Sequence, residues 1–474
     1  MQEKKKGVDK MKKSLLWLLI LTLMVAIVAS FSLSSCKAAA VAETTAAAET
    51  TAAAETTAAP TETAANENAK PFEGVTLRIL ANSHEPMLKA NQWSVDVMKE
   101  KFGITILMDQ EPYGTEYDKA MSNFVGKTGA YDIIVGAHQW TGGWADPGYI
   151  IPLDEYIAND PDFDSSVYIE KAYQINTNWK GQQFGLPFNM EGRLMFYRKD
   201  IFEKEGLKVP TTKDEWLETV KYLSKTDYPA CYMYGSEQAP GYVHETYWGL
   251  FDWNSADTIN GYWDEKNYQN IMDEGKYTEA LKFWQDAKQY MPSGVEAYNL
   301  PEAYQFYVDG KSAMTEVWPL TLYGMLLDPA NEEIRKNTGV ANVAHGLAHS
   351  GGWFMAITGD SKNKDAAWEY IKFMTSPEND TYFFKEFGKG PSAKATFADA
   401  SLADKYGEWL TNQAAAMEEC VTPGKISTMA DYYGGDFYAI TTQTMIGQLT
   451  PEEGAAKCIE EMNNLLTRAG YVQK

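Results

Sequence analysis

An α/β protein of more than one domain is what this sequence predicts, on three observations. The chain has 474 residues, more than one ordinary domain holds. Strand-like and helix-like segments alternate from Val75 onward, the pattern of a parallel sheet flanked by helices. Hydrophobic residues make up 45% of the chain against 23% charged, so most of it can fold around ordinary cores.

The elements follow in order. Val75-Thr-Leu-Arg-Ile-Leu80 alternates and is rich in branched residues, which predicts a strand. From Asn91 to Phe102 the residues Trp93, Val97, Met98 and Phe102 share one helical face, and Gly103 ends the helix. Ile104–Leu107 reads as a second strand, Tyr117–Phe124 as a helix and Tyr131–Val135 as a buried strand. Later helices are expected at Trp216–Ser224, Tyr277–Tyr290, Ala366–Met374 and Pro451–Arg468. The last has Thr450 as N-cap, Pro451 at the first position and Glu453 three residues beyond the cap. In parallel sheets ligands sit beyond the carboxyl ends of the strands. Those ends here are Ala81-Asn82-Ser83-His84 and Gly136-Ala137-His138-Gln139-Trp140.

Ahead of this body stands a different kind of segment. Lys4, Lys5, Lys6, Lys10, Lys12 and Lys13 precede an apolar run, Leu15 to Val28, broken only by Thr22. Leu33-Ser34-Ser35-Cys36 follows. A basic start, an apolar middle and small residues before a cleavage point describe a secretory signal peptide. The run is short for a membrane span. Residues 1–36 are therefore read as a signal, with Met11 an equally normal start for it. Residues 37–70 repeat Glu-Thr-Thr-Ala-Ala-Ala from Glu43, Glu49 and Glu55 and nearly lack large apolar residues. Such a segment cannot bury a core and is expected to act as a flexible leash.

Composition narrows the function. The formal net charge is −23, which repels phosphate backbones and excludes nucleic acid as a natural partner. Fourteen Trp and 29 Tyr are more than cores need, because each buried N–H or O–H wants a partner. Half-apolar, wet binding surfaces use them. Besides Cys36 there are three cysteines, Cys231, Cys420 and Cys458. They form at most one bridge and are read as small buried residues.

Chemical motifs are weak. His345 and His349 stand four apart, but Gly346 and Ser350-Gly351-Gly352 mark a loop, and no His-Glu-x-x-His pattern is present. Asp160, Asp162 and Asp164 imitate the start of a calcium loop without its glycine or closing glutamate. No metal, no cofactor and no catalytic residue is assigned, and the expectation is a binding protein rather than an enzyme.

Several segments in order resemble one family, the extracellular solute-binding proteins of ABC importers, in the sugar-binding group that includes maltose-binding protein. They are Tyr131–Trp140 with Gly142-Gly143 and Ile151-Pro-Leu-Asp154; Lys180–Pro187 running into Met195–Phe202; Gly310-Lys-Ser-Ala-Met314 with Trp318; and Gly351-Gly352-Trp353. Ser361–Trp368, Ile371–Met374 and Thr450–Glu453 complete the series. Leu33–Cys36 resembles the bacterial lipobox, in which the cysteine carries lipid. The resemblance spans about residues 72–470.

It implies a two-lobed periplasmic-binding-protein-like α/β fold of type II. Three crossing segments join the lobes, and a ligand cleft lies between them. The first lobe takes 72–187 plus 350–388; the second takes 188–349 plus 389–474. It implies capture of a mono- or oligosaccharide outside the membrane and delivery to a permease, by a monomer tethered through Cys36. A secreted carbohydrate-active enzyme or a sugar-sensing lipoprotein is the alternative.

Sugars offer hydroxyl rims and C–H faces, so the site needs flat aromatics and a few polar groups. The candidates are Ser83, His84, Gln139 and Trp140 at the strand ends, and Asn189 and Glu191 in Pro187-Phe-Asn-Met-Glu191, where the maltose protein's sugar-contacting Glu stands. Trp318 falls where the family has a stacking Trp, and Gly352 and Trp353 lie near the hinge. Trp248 comes from the cluster Tyr242, Tyr247, Trp248 and Trp253, of which one or two are expected at the cleft. Tyr433 is chosen from Tyr432, Tyr433, Phe437 and Tyr438. Ser83-His84 and Gln139-Trp140 depart from the maltose protein's Asp/Lys and Asp-Arg, which implies more stacking and less polar clamping.

Overall fold

A computed structural model describes residues 70–235, 238–251, 261–421 and 424–473. The signal segment, Cys36, the repeats and Trp253 lie outside the described residues.

Two sheets organise the body. The first has five strands in the order β2-β1-β3-β10-β6. β1 (Thr76–Asn82) runs parallel to β2 (Thr105–Glu111) and to β3 (Ile133–Ala137). β10 (Ser350–Ile357) returns antiparallel to β3 and pairs on its other side with β6 (Leu186–Gly192). Side chains alternate across a strand, and both faces of this sheet are covered. Leu77, Ile79, Ala81, Ile133 and Val135 join one core, with the helices Glu85–Phe102 and Lys364–Met374. Leu80, Ile134 and Phe354 join another, with Trp140 and Trp144. Burial on both sides is why β3 reads as a nearly continuous apolar run, whereas β1 alternates at its start because Thr76 and Arg78 are exposed. A two-residue pair, β4 (Asn178–Trp179) with β5 (Gln182–Gln183), stands apart.

The second sheet has three strands, β8-β7-β9. β7 (Leu194–Arg198) lies between β8 (Met314–Val317) and β9 (Thr338–Ala341), antiparallel to both. Met195 points into the larger core, among Trp216, Tyr242, Trp248 and Trp284, and Leu194 and Phe196 into the opposite one, with Tyr307 and Trp409.

Between Gly192, the last residue of β6, and Leu194, the first of β7, only Arg193 intervenes. The chain returns to the first sheet between β9 and β10, through a loop carrying His345 and His349. A third passage follows the helix Pro377–Phe387, and a buried polar knot fixes it. Asp380 accepts from the Ser392 and Ala393 amides and the Thr396 hydroxyl, and pairs with Lys389 at 3.0 Å. The Lys389 ammonium also reaches the carbonyls of Phe188 and Gly390. Lys389 is 1% exposed and keeps its charge cost low only through these partners.

The first helix starts at Glu85, six residues before the apolar stripe suggests, because Pro86 suits its first turn. It ends at Gly103, with φ 78°; a Cβ there would lie 2.7 Å from the Glu73 backbone, so only glycine fits. The expected helices at Trp216, Tyr277 and Ala366 appear as Lys213–Leu223, Glu274–Ala287 and Lys364–Met374. The terminal helix spans Pro451–Arg468 with a reciprocal Thr450–Glu453 capping box. Cys231, Cys420 and Cys458 are all free and buried. Among the described residues no helix is long and apolar enough to cross a membrane.

Candidate functional site

A cavity of about 1290 Å³ lies between the two sheets. The first lobe supplies the ends of its strands: Asn82 and His84 at the end of β1, Tyr113 and Tyr117 beyond β2, Ala137–Trp140 at the end of β3, and the β10 start, Ser350–Trp353. The second lobe supplies Trp318, Thr321 and Met325 around the helix Pro319–Leu326, Leu300 and Tyr304 from the helix Leu300–Val308, and Tyr433 and Tyr438. Glu191 and Arg193 line it from the first crossing.

Each wall has an aromatic surface. Trp140 stacks obliquely on Tyr113 and Tyr117, with ring centres 5.1 and 5.2 Å away, and meets Trp353 edge-on at 5.8 Å. Opposite them, Trp318 is fixed on three sides. Its indole N–H donates to the Gln238 side-chain oxygen at 2.5 Å, the Arg193 guanidinium lies 4.9 Å from its ring centre, and Gly351 presses against it. A Cβ on Gly351 would come within 2.6 Å of the Trp318 ring. The Tyr433 hydroxyl and His349 Nε2 are 3.0 Å apart, and the His138 ring stands edge-on to Tyr433.

Two polar contacts cross the cleft at one helix start. His84 Nε2 meets the Thr321 hydroxyl at 3.0 Å, and Glu191 Oε2 accepts the Leu320 amide at 3.3 Å. Burial pushes the Glu191 carboxyl up to about 7, opposed only by that amide. Burial likewise holds His84 and His349 below the ordinary imidazole value and His138 down to about 3, so these rings are neutral hydrogen-bonding groups near neutral pH.

Behind Arg193 lies a buried ion network. Glu245 faces it at 3.7 Å, and His345 Nε2 is 2.6 Å from a Glu316 oxygen. Glu245, Glu316 and His345 bring ligand atoms within 4.8 Å of one another. The Arg193 guanidinium stands beside this cluster and supplies the cation. Burial raises both carboxyls, Glu316 to about 7. The Glu245 carboxylate also takes the His349 amide at 3.0 Å, which ties the network to the cavity wall. His345 and His349 therefore turn to different partners. Asp160 binds Trp368 and Lys372 while Asp164 caps its own turn, so those acids do not converge.

Of the residues expected at the site, the structure brings His84, Gln139, Trp140, Glu191, Trp318, Gly352, Trp353 and Tyr433 to the cavity. It does not bring Ser83, Asn189 or Trp248. Ser83 donates its backbone amide to Glu111, continuing the β1–β2 ladder. Asn189 is 1% exposed and accepts the Gly390 amide, a structural tie at the third passage. Trp248 is fully buried in the second-lobe core, edge-on to His349. Tyr242 and Tyr247 are also fully buried, because the helix Pro240–Gly249 is enclosed on every side through Trp248. Of the later aromatics, Tyr433 and Tyr438 line the cavity while Tyr432 and Phe437 are core. Gly352 is needed for packing inside its own lobe, since a Cβ would strike Asn176 and Met190.

Sequence reasoning assigned none of Tyr113, Tyr117, His138, Tyr304, Thr321 and Arg193 to the site, and weighed His349 only as a metal ligand. Tyr113 and Tyr117 follow a strand end at helical spacing, the same signal that marks His84 and Gln139. Tyr304 and Thr321 carry no local signal.

A cleft between two α/β lobes, walled by aromatics from both and floored by a crossing strand, defines a ligand-capturing protein. The chain belongs to the bacterial extracellular solute-binding proteins, whose family model matches residues 84–381. It is 22% identical over 359 residues to the mannitol-binding protein of Pseudomonas aeruginosa, covering 69% of this chain and 78% of that one. A Sinorhizobium fredii relative named for amino-acid ABC transport is 23% identical over 314 residues, 65% of this chain and 70% of the relative. The maltose-bound MalE3 of T. maritima superposes with a TM-score of 0.71 at 21% identity, over 82% of this chain and 100% of that one. At that identity the likeness concerns the fold.

Proposed function

We propose that the protein captures a carbohydrate or polyol between its lobes, releases it unaltered to the permease of an ABC importer, and works as a monomer tethered by lipid on Cys36. The opposed aromatic walls carry this reading: Trp353 and Tyr113, backed by the buried Trp140, on one side, Trp318 and Tyr433 on the other, around a cavity of about 1290 Å³. Flat faces match the C–H faces of sugar rings, and Glu191, Gln139, His84 and Gln238 offer the few directed polar groups that fix orientation. The cavity is larger than a drug-sized pocket of roughly 300–1,000 Å³, which suits more than one sugar ring. The maltose- and mannitol-binding relatives add support, and so does the Leu33–Cys36 motif behind an apolar run. Ligand that contacts both walls binds the closed form better than the open one, and that difference drives closure.

A thermal-shift screen against mono- and oligosaccharides, sugar alcohols and amino acids tests this. A ligand at a hundred times its Kd stabilises by about 2.7 kcal/mol. Stabilisation by a sugar recovered intact is the expected result. A sugar recovered hydrolysed points to an enzyme, and stabilisation by amino acids alone overturns the carbohydrate assignment.

A further inference from the structure

We propose that the cavity is selective for an amine-bearing sugar, whose ammonium pairs with the Glu191 carboxylate. This rests on the carbohydrate reading above and names the class of carbohydrate. Charge is unevenly matched around the cavity. Two arginines line it, and acids already answer both: Glu245 faces Arg193 at 3.7 Å, and Glu461 and Asp431 face Arg468 at 2.9 and 3.6 Å. The lining histidines are held neutral by burial.

Glu191 has no such answer. Among the described residues its one hydrogen bond is the Leu320 amide on Oε2, and nothing bonds Oε1 or forms an ion pair with it. It lies within electrostatic reach of Tyr304, whose hydroxyl its charge pushes up further than burial alone. A sugar hydroxyl can donate to such a carboxylate but leaves its charge uncompensated at low dielectric. An ammonium donates and neutralises together, and charge-assisted bonds are about twice as strong as neutral ones. Two further features favour a cation. The half-buried Trp353 ring at the cavity attracts ammonium groups. Asp118 and Asp436, exposed at the cavity edge with no ion pair among the described residues, lend it a negative potential. The same potential disfavours uronic acids and sugar phosphates.

The test is calorimetric titration of the full-length chain, near neutral pH, with matched neutral and 2-amino sugars, from glucose and glucosamine to cello-oligosaccharides and fully deacetylated chitosan oligomers. The amino member of the best-binding pair is expected to bind about tenfold tighter than its neutral counterpart. In Glu191→Gln, whose amide oxygen can still accept from Leu320, that ratio is expected to fall to about one. Neutral sugars binding as well as or better than their amino counterparts would overturn this inference and leave the carbohydrate reading standing. A preference that survives Glu191→Gln in a folded protein would overturn the assignment to Glu191. Binding of neither series would overturn this inference, and the thermal-shift screen across other sugars and sugar alcohols would then decide the carbohydrate reading. The comparison on the unaltered chain decides first, so a poorly folding variant does not blunt the test.

Discussion

Trp318→Ala is the perturbation that most directly probes the aromatic wall. The indole ring is held by the Gln238 bond and by the Arg193 guanidinium 4.9 Å from its centre, so in the native protein its position is already fixed before ligand arrives. Loss of one stacked sugar face costs about 1–3 kcal/mol, by analogy with bases stacked on aromatic side chains. That corresponds to an affinity loss of about 5- to 150-fold. Stability should suffer less than the roughly 3–5 kcal/mol typical of truncating a fully buried Trp, because the ring borders an existing cavity and leaves little new void. Trp318→Phe keeps a face but loses the indole N–H bond to Gln238, and should fall between wild type and Ala. Calorimetric titration with the best sugar from the screen, beside a thermal melt, separates the two effects. A folded Ala variant with wild-type affinity would refute the stacking role and remove Trp318 from the binding wall.

Gly351→Ala should weaken the same ligand about tenfold or more. The new Cβ would lie 2.6 Å from the Trp318 ring, against about 3.5–4.0 Å for relaxed carbon contacts, and the ring must shift into the cavity; unchanged affinity would argue against close packing there. Asp380→Ala should cost about 3–5 kcal/mol in chemical denaturation, because it strands the buried Lys389 ammonium; a loss below about 1 kcal/mol would show the knot is dispensable. Fully buried His244, bonded to the Tyr432 hydroxyl, is held well below the ordinary imidazole value by burial. The unfolded chain takes up its proton below about pH 6.5 while the native ring stays neutral, so stability falls as pH falls, by about 1 kcal/mol between roughly pH 7 and 5.5. Glu191 and Glu316, raised to about 7, act in the opposite sense, since their cost grows as pH rises from about 4.5 toward 7. His244→Asn isolates the histidine. Its stability should decline less on acidification than wild type does, and an equal decline would assign the proton uptake elsewhere.

The parts of the fold that could be read in the chain are those whose signal is local. β3 is buried on both faces and so appears as a branched apolar run, β1 alternates at its start where Thr76 and Arg78 are exposed, and the Thr450–Glu453 box marks a helix start within four residues. Strand ends also located His84, Gln139 and Trp140, because a parallel sheet places them together wherever its helices go. Trp248 could not be assigned this way. Its helix is apolar on all sides, and periodicity then cannot say which face meets a cleft. Thr321 lies 237 residues from the His84 ring it meets, and the Arg193 charge is answered by a network drawn from three separated segments. Such pairings follow from how two lobes are set against each other, which short stretches of sequence do not encode.

A crystal structure grown with the sugar that stabilises the protein most would test capture between the lobes directly. The expected result is an intact sugar in the cavity, one ring face on Trp318 and a polar group on Glu191. Sugar bound elsewhere, or present only as cleaved product, would contradict it.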